Sequence, residues 1–163
     1  MLSSLYPKEL TIRKSKILHK SPILRSLARF VTEVAVQLIF KIKFEDIYVV
    51  ECWRHVVYVH AKGVTKFVSY ADFPPILGVE PPSPVEMAMW RKPSAKTKRC
   101  FSMLQAPKWW AEFFAHQFWQ SLSTPILYNW GSLVGLIKFA FTESTLQELR
   151  SSFRRASPKV VSG

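Results

Sequence analysis

Cys52, His55 and His60 are the side chains whose chemistry could assemble a metal site within one short segment. Thiolate and imidazole groups bind zinc, but each must lie about 2.0–2.3 Å from the ion. If residues 47–60 form one strand, Cys52 and His55 point to opposite faces. Cys52 and His60 would then lie about 27 Å apart at roughly 3.4 Å per residue. We therefore predict no metal site within this segment. His19, Cys100 or His116 could complete a site only in a fold that the sequence does not specify.

Motifs that carry a catalytic mechanism are absent from the sequence. The chain has no glycine-rich phosphate loop, no Gly-x-Ser-x-Gly elbow and no His-Glu-x-x-His helix. Only five glycines are present, so the tight turns that often shape active sites are scarce. We predict a non-catalytic protein without a cofactor, a metal or a small-molecule substrate. A free-standing enzyme stays a weaker alternative, because a dispersed triad leaves no sequence pattern.

The composition limits the class of protein. The chain has 163 residues, of which 48% are hydrophobic, which excludes a generally disordered chain and allows one domain with a core. Two cysteines are too few for a disulfide framework. The net charge of +12 favours a polyanionic neighbour, either RNA or an anionic lipid surface.

The positive charge is concentrated at the two ends and in one loop. Residues 1–21 are rich in Lys and Arg with Glu9 as their one acid, which is typical of a mitochondrial transit segment or of a basic arm. A second basic run, 91–99, is flanked by aromatic residues. We expect contact with RNA phosphates or lipid headgroups from a set of basic side chains: Arg13, Lys14, Lys16, Lys20, Arg91, Lys92, Lys96, Lys98, Arg99, Arg154 and Arg155. A merely solvated loop 91–99 is the alternative.

Hydrophobic periodicity predicts an α+β fold. Ser21-Pro22 resembles a helix start, and apolar residues at three-and-four spacing predict an amphipathic helix over about 22–38. Alternation from Phe40, followed by β-rich runs at 47–60 and 64–70, predicts a small three-stranded antiparallel sheet over about 40–70. The helix is expected to pack on this sheet, so that residues 22–72 form one unit.

The second half of the chain divides at a proline-rich stretch. Six prolines between residues 73 and 93 predict an extended, Pro-rich and basic linker over 73–106 with no helix or central strand. Residues 107–163 are predicted as aromatic helices with a basic tail. Pro125 ends the first of these helices, and Thr145-x-x-Glu148 is predicted to cap the last.

Residues 122–142 are close in length to the roughly 20 residues that cross a bilayer core, with Lys138 as their single charge. Gly131 and Gly135 form a small-xxx-small pair, which is typical of close helix packing. Three alternatives stay open: a short or re-entrant membrane segment, an interfacial helix and a helix buried in protein. We predict an interface or membrane-facing surface from one set of residues: Trp110, Phe114, Phe118, Leu122, Trp130, Gly131 and Gly135.

Basic ends and an aromatic C-terminal third together indicate a subunit of a large hetero-complex. The first hypothesis is an accessory structural subunit of a mitochondrial inner-membrane complex, such as a respiratory or ATP synthase assembly, located at the inner membrane on its matrix side or in the matrix. Membrane lipid is then an expected partner. The alternative is a mitochondrial ribosomal or other ribonucleoprotein subunit that contacts RNA through its basic arm and loop 91–99.

Overall fold

A computed structural model describes residues 14–22, 26–91 and 106–162 of the chain. They form a mixed α+β fold, which confirms the predicted fold class, with a four-stranded sheet and five α-helices. The strands are β1 (Ile17–His19), β2 (Ile47–Cys52), β3 (Val57–Ala61) and β4 (Val64–Val68). The helices are α1 (Glu33–Phe40), α2 (Pro84–Arg91), α3 (Trp109–Gln120), α4 (Thr124–Leu136) and α5 (Glu143–Ser162).

The sheet has the order β1-β2-β3-β4. The last three strands lie within the predicted range and are antiparallel, but β1 comes from the basic arm and runs parallel to β2. The strand predicted from Phe40 is wrong, because Phe40 ends α1 and Lys41 takes a left-handed conformation (φ 55°) that closes the helix. The run 47–60 is also not one strand, since residues 53–56 turn the chain between β2 and β3.

The helix predicted over about 22–38 is wrong in its extent. Ser21 and Pro22 are not helical, residues 23–25 lie outside the described part, and Ser26–Phe30 form a 3-10 turn. The α-helix starts only at Glu33, because the Thr32 hydroxyl accepts a hydrogen bond from the Ala35 N–H at 3.2 Å. Leu27 in the 3-10 turn and Val31 just after it are buried, so their apolar spacing does not require an α-helix here.

The proline-rich stretch is not wholly extended, because α2 begins at Pro84. Proline is tolerated in the first helical turn, where its missing N–H has no partner to lose. Ser83 and Glu86 form a capping box: the Ser83 hydroxyl accepts from the Glu86 N–H, and the Glu86 carboxylate accepts from the Ser83 N–H. Prediction of a linker without helices was therefore wrong for residues 84–91, and residues 92–105 lie outside the described part.

Glu86 also forms an ion pair with Arg29, which is 57 positions away in sequence. The two guanidinium nitrogens Nη1 and Nη2 lie 2.7 and 2.5 Å from the two carboxylate oxygens. Arg29 also donates to the backbone carbonyls of Glu80 and Pro81, at 2.8 and 3.1 Å. Since the Glu86 side chain is only 8% exposed, this pair fastens the proline-rich stretch to the 3-10 turn 26–30.

The stretch 122–142, for which a membrane segment is one of the three alternatives, contains α4 and a 3-10 turn at Lys138–Ala140. None of the helices in the described part of the chain is long and apolar enough to cross a membrane. As predicted, the preceding helix stops before Pro125, since α3 ends at Gln120. The last helix begins earlier than predicted, because Thr142, not Thr145, accepts the first-turn hydrogen bond.

Buried side chains form two clusters. The first lies between the sheet and residues 27–36, and the second lies among α3, α4 and α5. Trp110 links them, because its ring belongs to the second cluster while its indole N–H donates to the Asp72 carbonyl at 2.8 Å. Trp90 of α2 packs edge-on against Trp110 with ring centroids 5.7 Å apart. The sheet and the helices therefore share an aromatic junction.

Candidate functional site

The basic residues predicted to contact polyanions are only partly placed. Lys14, Lys20, Arg154 and Arg155 are exposed, as a polyanion contact requires. Arg91 is the last residue of α2, and its side chain is not described. The others lie outside the described residues: Arg13, Lys92, Lys96, Lys98 and Arg99. The structure thus leaves loop 91–99 as a prediction.

Lys16 differs from the other basic residues because it is engaged within the fold. Its ammonium group donates to the Phe44 carbonyl at 2.6 Å and lies 4.2 Å from the centroid of the Phe44 ring. Its backbone N–H donates to the Glu33 carboxylate at 3.1 Å. Its carbonyl accepts from the Val50 N–H of β2 at 2.8 Å. Lys16 therefore ties the start of β1 to β2, to Phe44 and to α1, and its ammonium group is already engaged within the fold.

Four of the aromatic residues predicted to face a partner are buried in the chain itself. Trp110, Phe114 and Phe118 are 1%, 0% and 2% exposed, and Trp130 is 9% exposed. Their rings contact one another and Phe141 and Phe153, which come from outside α3 and α4. The apolar stripe of α3 is thus covered by α4 and α5, and the predicted docking surface is not exposed at these four positions.

Leu122 is the predicted interface residue with a large side chain that stays at the surface, with 89% of its area exposed; Gly135 is exposed as well. Leu122 lies between α3 and α4, and Trp119 and Ile126 on either side are 53% and 41% exposed. We name these three residues the apolar corner. No Asp, Glu, Lys or Arg occurs between residues 113 and 137, so the corner lies within a long uncharged part of the chain.

Gly131 and Gly135 lie on α4 and border a cavity of about 150 Å³ between α3, α4 and α5. The two glycines differ in their surroundings. A Cβ atom at Gly131 would lie 2.8 Å from Cε2 of Phe153, whereas a Cβ at Gly135 would meet no atom within 4 Å. Of the two glycines, only Gly131 allows a close approach to a neighbouring helix, and that helix is α5 of the same chain.

This difference predicts opposite effects of alanine at the two positions. We expect Gly135→Ala to raise the free energy of unfolding by about 0.5–1 kcal/mol, because alanine favours the helix. Gly131→Ala should lower it by about 1 kcal/mol, because displacing the Phe153 ring costs more than the helix gains. Urea denaturation of both variants measures the difference. Equal shifts in the two variants would contradict the close approach of Phe153 to α4.

An exposed group of aromatic residues on the outer side of the sheet was missed by the sequence analysis. We name it the aromatic face, formed by Tyr48, Trp53, Tyr58, His60 and Phe67. Ring centroids lie 5.3 Å apart for Trp53 and Phe67, 5.4 Å for Tyr58 and Phe67, and 5.0 Å for Tyr48 and His60. Alternation of Tyr58 and His60 with buried Val57, Val59 and Ala61 was the signal that could have found it.

The turn between β2 and β3 also changes the geometry of the metal candidates. Cys52 is opposite Val57 and faces the core, while His60 is opposite Val49 and is exposed. Burial raises the pKa of the Cys52 thiol, which disfavours the thiolate that a metal would need. Among the residues that the structure describes, no three His, Cys, Asp or Glu side chains gather to hold a metal ion.

Neither a known protein family, nor a curated protein, nor a solved structure matches this chain. Its function must therefore be argued from its own exposed chemistry. Exposed large apolar or aromatic side chains in the described chain include those of the apolar corner and of the aromatic face, besides others such as Leu18, Val85 and Leu136. Binding is inferred below from the apolar corner and the aromatic face.

Proposed function

We propose that this chain is a non-catalytic accessory subunit of a mitochondrial inner-membrane complex, such as a respiratory or ATP synthase assembly, attached at the matrix side of the membrane. The observation that carries the proposal is the apolar corner, where Leu122 is 89% exposed. Trp119 beside it is of the type that prefers the membrane–water interface. A corner of this composition is suited to insertion among headgroups and the first acyl carbons, without crossing the bilayer.

A basic helix lies at the same end of the helical layer as the apolar corner. Phe153 of α5 packs against Phe118 and Tyr128 with ring centroids 5.4 and 5.5 Å apart. Arg154 and Arg155 follow directly and are exposed. Each basic residue near an anionic membrane surface contributes about 1 kcal/mol of attraction. Apolar insertion and a basic surface are the two signals that together give stable attachment.

The mitochondrial address rests on the acid-poor basic composition of residues 1–21, and the accessory role rests on the absence of a catalytic motif in the sequence. Because no described helix can cross a membrane, the proposal is attachment at the interface. The partners that follow from it are anionic phospholipid and the neighbouring subunits of the complex.

Flotation with lipid vesicles tests the attachment. We expect the wild-type chain to float with phosphatidylcholine vesicles that contain an anionic phospholipid. Leu122→Ser should weaken partitioning about tenfold, because burying a leucine side chain is worth about 1.5–3 kcal/mol. Leu136→Ser is the matched control, since Leu136 is exposed at the other end of α4 and should float like the wild type. Equal flotation of both variants, or none of the wild type, would contradict membrane attachment through the corner.

Native electrophoresis of detergent-solubilised mitochondria tests the assembly itself. We expect the wild-type chain to migrate with a large complex that retains inner-membrane subunits and not as the free 18.9 kDa chain. Migration of the wild type as a free chain would contradict the proposal that it is a subunit, even if vesicle binding were observed.

A ribosomal or other ribonucleoprotein subunit is the second candidate function. It is favoured by the exposed basic residues Lys14, Lys20, Arg154 and Arg155, which suit RNA phosphates as well as lipid headgroups. Under this candidate, nuclease treatment should release the chain from its complex and raised salt should weaken the association. An association that resists both treatments would count against a ribonucleoprotein.

A further inference from the structure

We infer that the aromatic face of the sheet binds single-stranded nucleic acid by stacking bases on its exposed rings. This inference goes beyond the proposed function and does not depend on the apolar corner, since the two surfaces share no residue. It assigns a binding surface to the sheet, where the sequence analysis placed none.

The exposure of these rings is not required by the fold. Val50, Cys52, Val57, Val59 and Val68 cover the core side of the strands and are buried. A sheet with one face on the core usually has polar residues on its outer face. Here Phe67, Tyr48 and Trp53 are 60%, 57% and 40% exposed. Large rings in contact with one another at the surface mark a site that a partner covers.

The arrangement of the rings suits successive bases. Tyr58 and Phe67 are directly opposite each other across β3 and β4, and Trp53 contacts both, at 5.7 and 5.3 Å between ring centroids. Tyr48 and His60 form a second group beside Tyr58. Every nucleobase has a π-face, so stacking on such a surface tolerates any sequence. A duplex buries its bases and cannot use it.

The charge around the aromatic face favours a polyanion over an apolar protein surface. Three exposed cations lie near it: Lys20 and Arg54 close to Trp53, and Lys62 in the turn between β3 and β4. Lys66 is paired opposite buried Val59, so its side chain lies on the other side of β4 from Phe67. Arg54 directly follows Trp53 in the chain. The Lys20 N–H donates to the Cys52 carbonyl at 3.0 Å, which holds Lys20 next to the residue that precedes Trp53. Glu51 is the one acid among the residues that the structure assigns to strands, and it accepts a hydrogen bond from the Trp53 indole N–H at 2.9 Å.

Fluorescence anisotropy with an end-labelled oligouridine tests the inference. We expect the wild-type chain to bind this probe, and Phe67→Ala and Tyr48→Ala each to raise Kd about tenfold, which is the loss of roughly one stacked base. Tyr128→Ala is the matched control, because Tyr128 is exposed on α4 to the same 57% as Tyr48 and should leave Kd unchanged. Circular dichroism confirms that each variant is folded.

Salt dependence separates stacking from nonspecific charge attraction. Arg54→Gln should reduce the slope of log Kd against log salt by about 0.7, the change expected for one phosphate contact on a single strand. Phe67→Ala should weaken binding without changing this slope. Oligodeoxyuridine of the same length differs from the RNA probe only at the 2′-hydroxyl, so preference for the RNA probe would identify contacts to the ribose hydroxyl.

Three results would overturn the inference. The first is that Phe67→Ala and Tyr48→Ala bind the probe with the same Kd as the wild type, because charge attraction would then account for all of the binding. The second is equal binding of a duplex of the same length, because a duplex offers no free bases. The third is that the wild type binds no single-stranded probe; if Phe67→Ala then loses a protein partner, the aromatic face is a protein interface. None of these results bears on vesicle flotation through Leu122, so the proposed function is tested separately.

Discussion

We expect the Trp110→Ala variant to unfold with a free energy about 4 kcal/mol below that of the wild type. Trp110 is 1% exposed, and its ring contacts Trp90, Phe114 and Phe141. Removing a buried tryptophan leaves a cavity that the surrounding rings cannot fill, which typically costs about 3–5 kcal/mol. The indole N–H is lost as well, so the Asp72 carbonyl loses a donor that ties the helices to the sheet.

Trp110→Phe separates these two contributions. Phenylalanine keeps much of the ring volume but cannot donate to Asp72, so we expect a smaller loss of about 1–2 kcal/mol. Chemical denaturation followed by circular dichroism gives both values. A loss below about 1 kcal/mol in Trp110→Ala would contradict the junction between the two clusters and would restore Trp110 as an interface residue.

The polar residues Lys108, Glu112, His116 and Gln120 recur at i,i+4 spacing, which predicts one polar side of a helix, and all four are exposed on α3 or at its start. This spacing does not tell what covers the other side. The opposite stripe is buried by α4 and α5 of the same chain. A sequence pattern reports that a face is apolar, and this holds equally for a core, a partner and a membrane. Only the packing of the helices separates these three cases.

Two element boundaries were missed for different reasons: a proline that has two local roles, and a turn without any turn-forming residue. Proline excludes a helix interior but is favoured at its first position, so Pro84 begins α2 within a stretch that was predicted to be extended. Residues 53–56 contain no glycine, proline or asparagine, so the turn that divides the run 47–60 has no local signal. That turn pairs β2 with β3, and only this pairing assembles the aromatic face.

Long-range polar contacts had no sequence signal at all. Glu86 looks like an ordinary surface acid in the sequence, yet only 6% of its area is exposed. It can be buried because its carboxylate forms an ion pair with Arg29, which is distant in sequence. We expect Arg29→Met and Glu86→Gln each to lower the free energy of unfolding by about 3 kcal/mol. This is the low end for breaking a buried ion pair, because the Arg29 side chain is 20% exposed.

The double variant and an exposed pair serve as controls for that prediction. Arg29→Met combined with Glu86→Gln should lose less than the sum of the single losses, because neither partner is then left as an unpaired charge. Glu143→Gln removes the exposed pair with Arg150, whose side chains are 73% and 52% exposed, and should have no measurable effect. Additive losses at Arg29 and Glu86 would show that the two side chains act independently.

The same ion pair makes the stability depend on acid in a defined direction. The hydrogen bonds from Arg29 lower the pKa of Glu86 in the folded chain below that of a free glutamate, which is about 4.3. A lowered folded-state pKa means that the pair stabilises the fold fully above about pH 4.3 and loses this effect as the pH falls through the lowered pKa. We therefore expect the difference between the wild type and Glu86→Gln to be constant near neutral pH and to shrink below about pH 4. A difference that stays unchanged down to pH 3 would mean that the loss in Glu86→Gln comes from packing and not from the charge of the carboxylate.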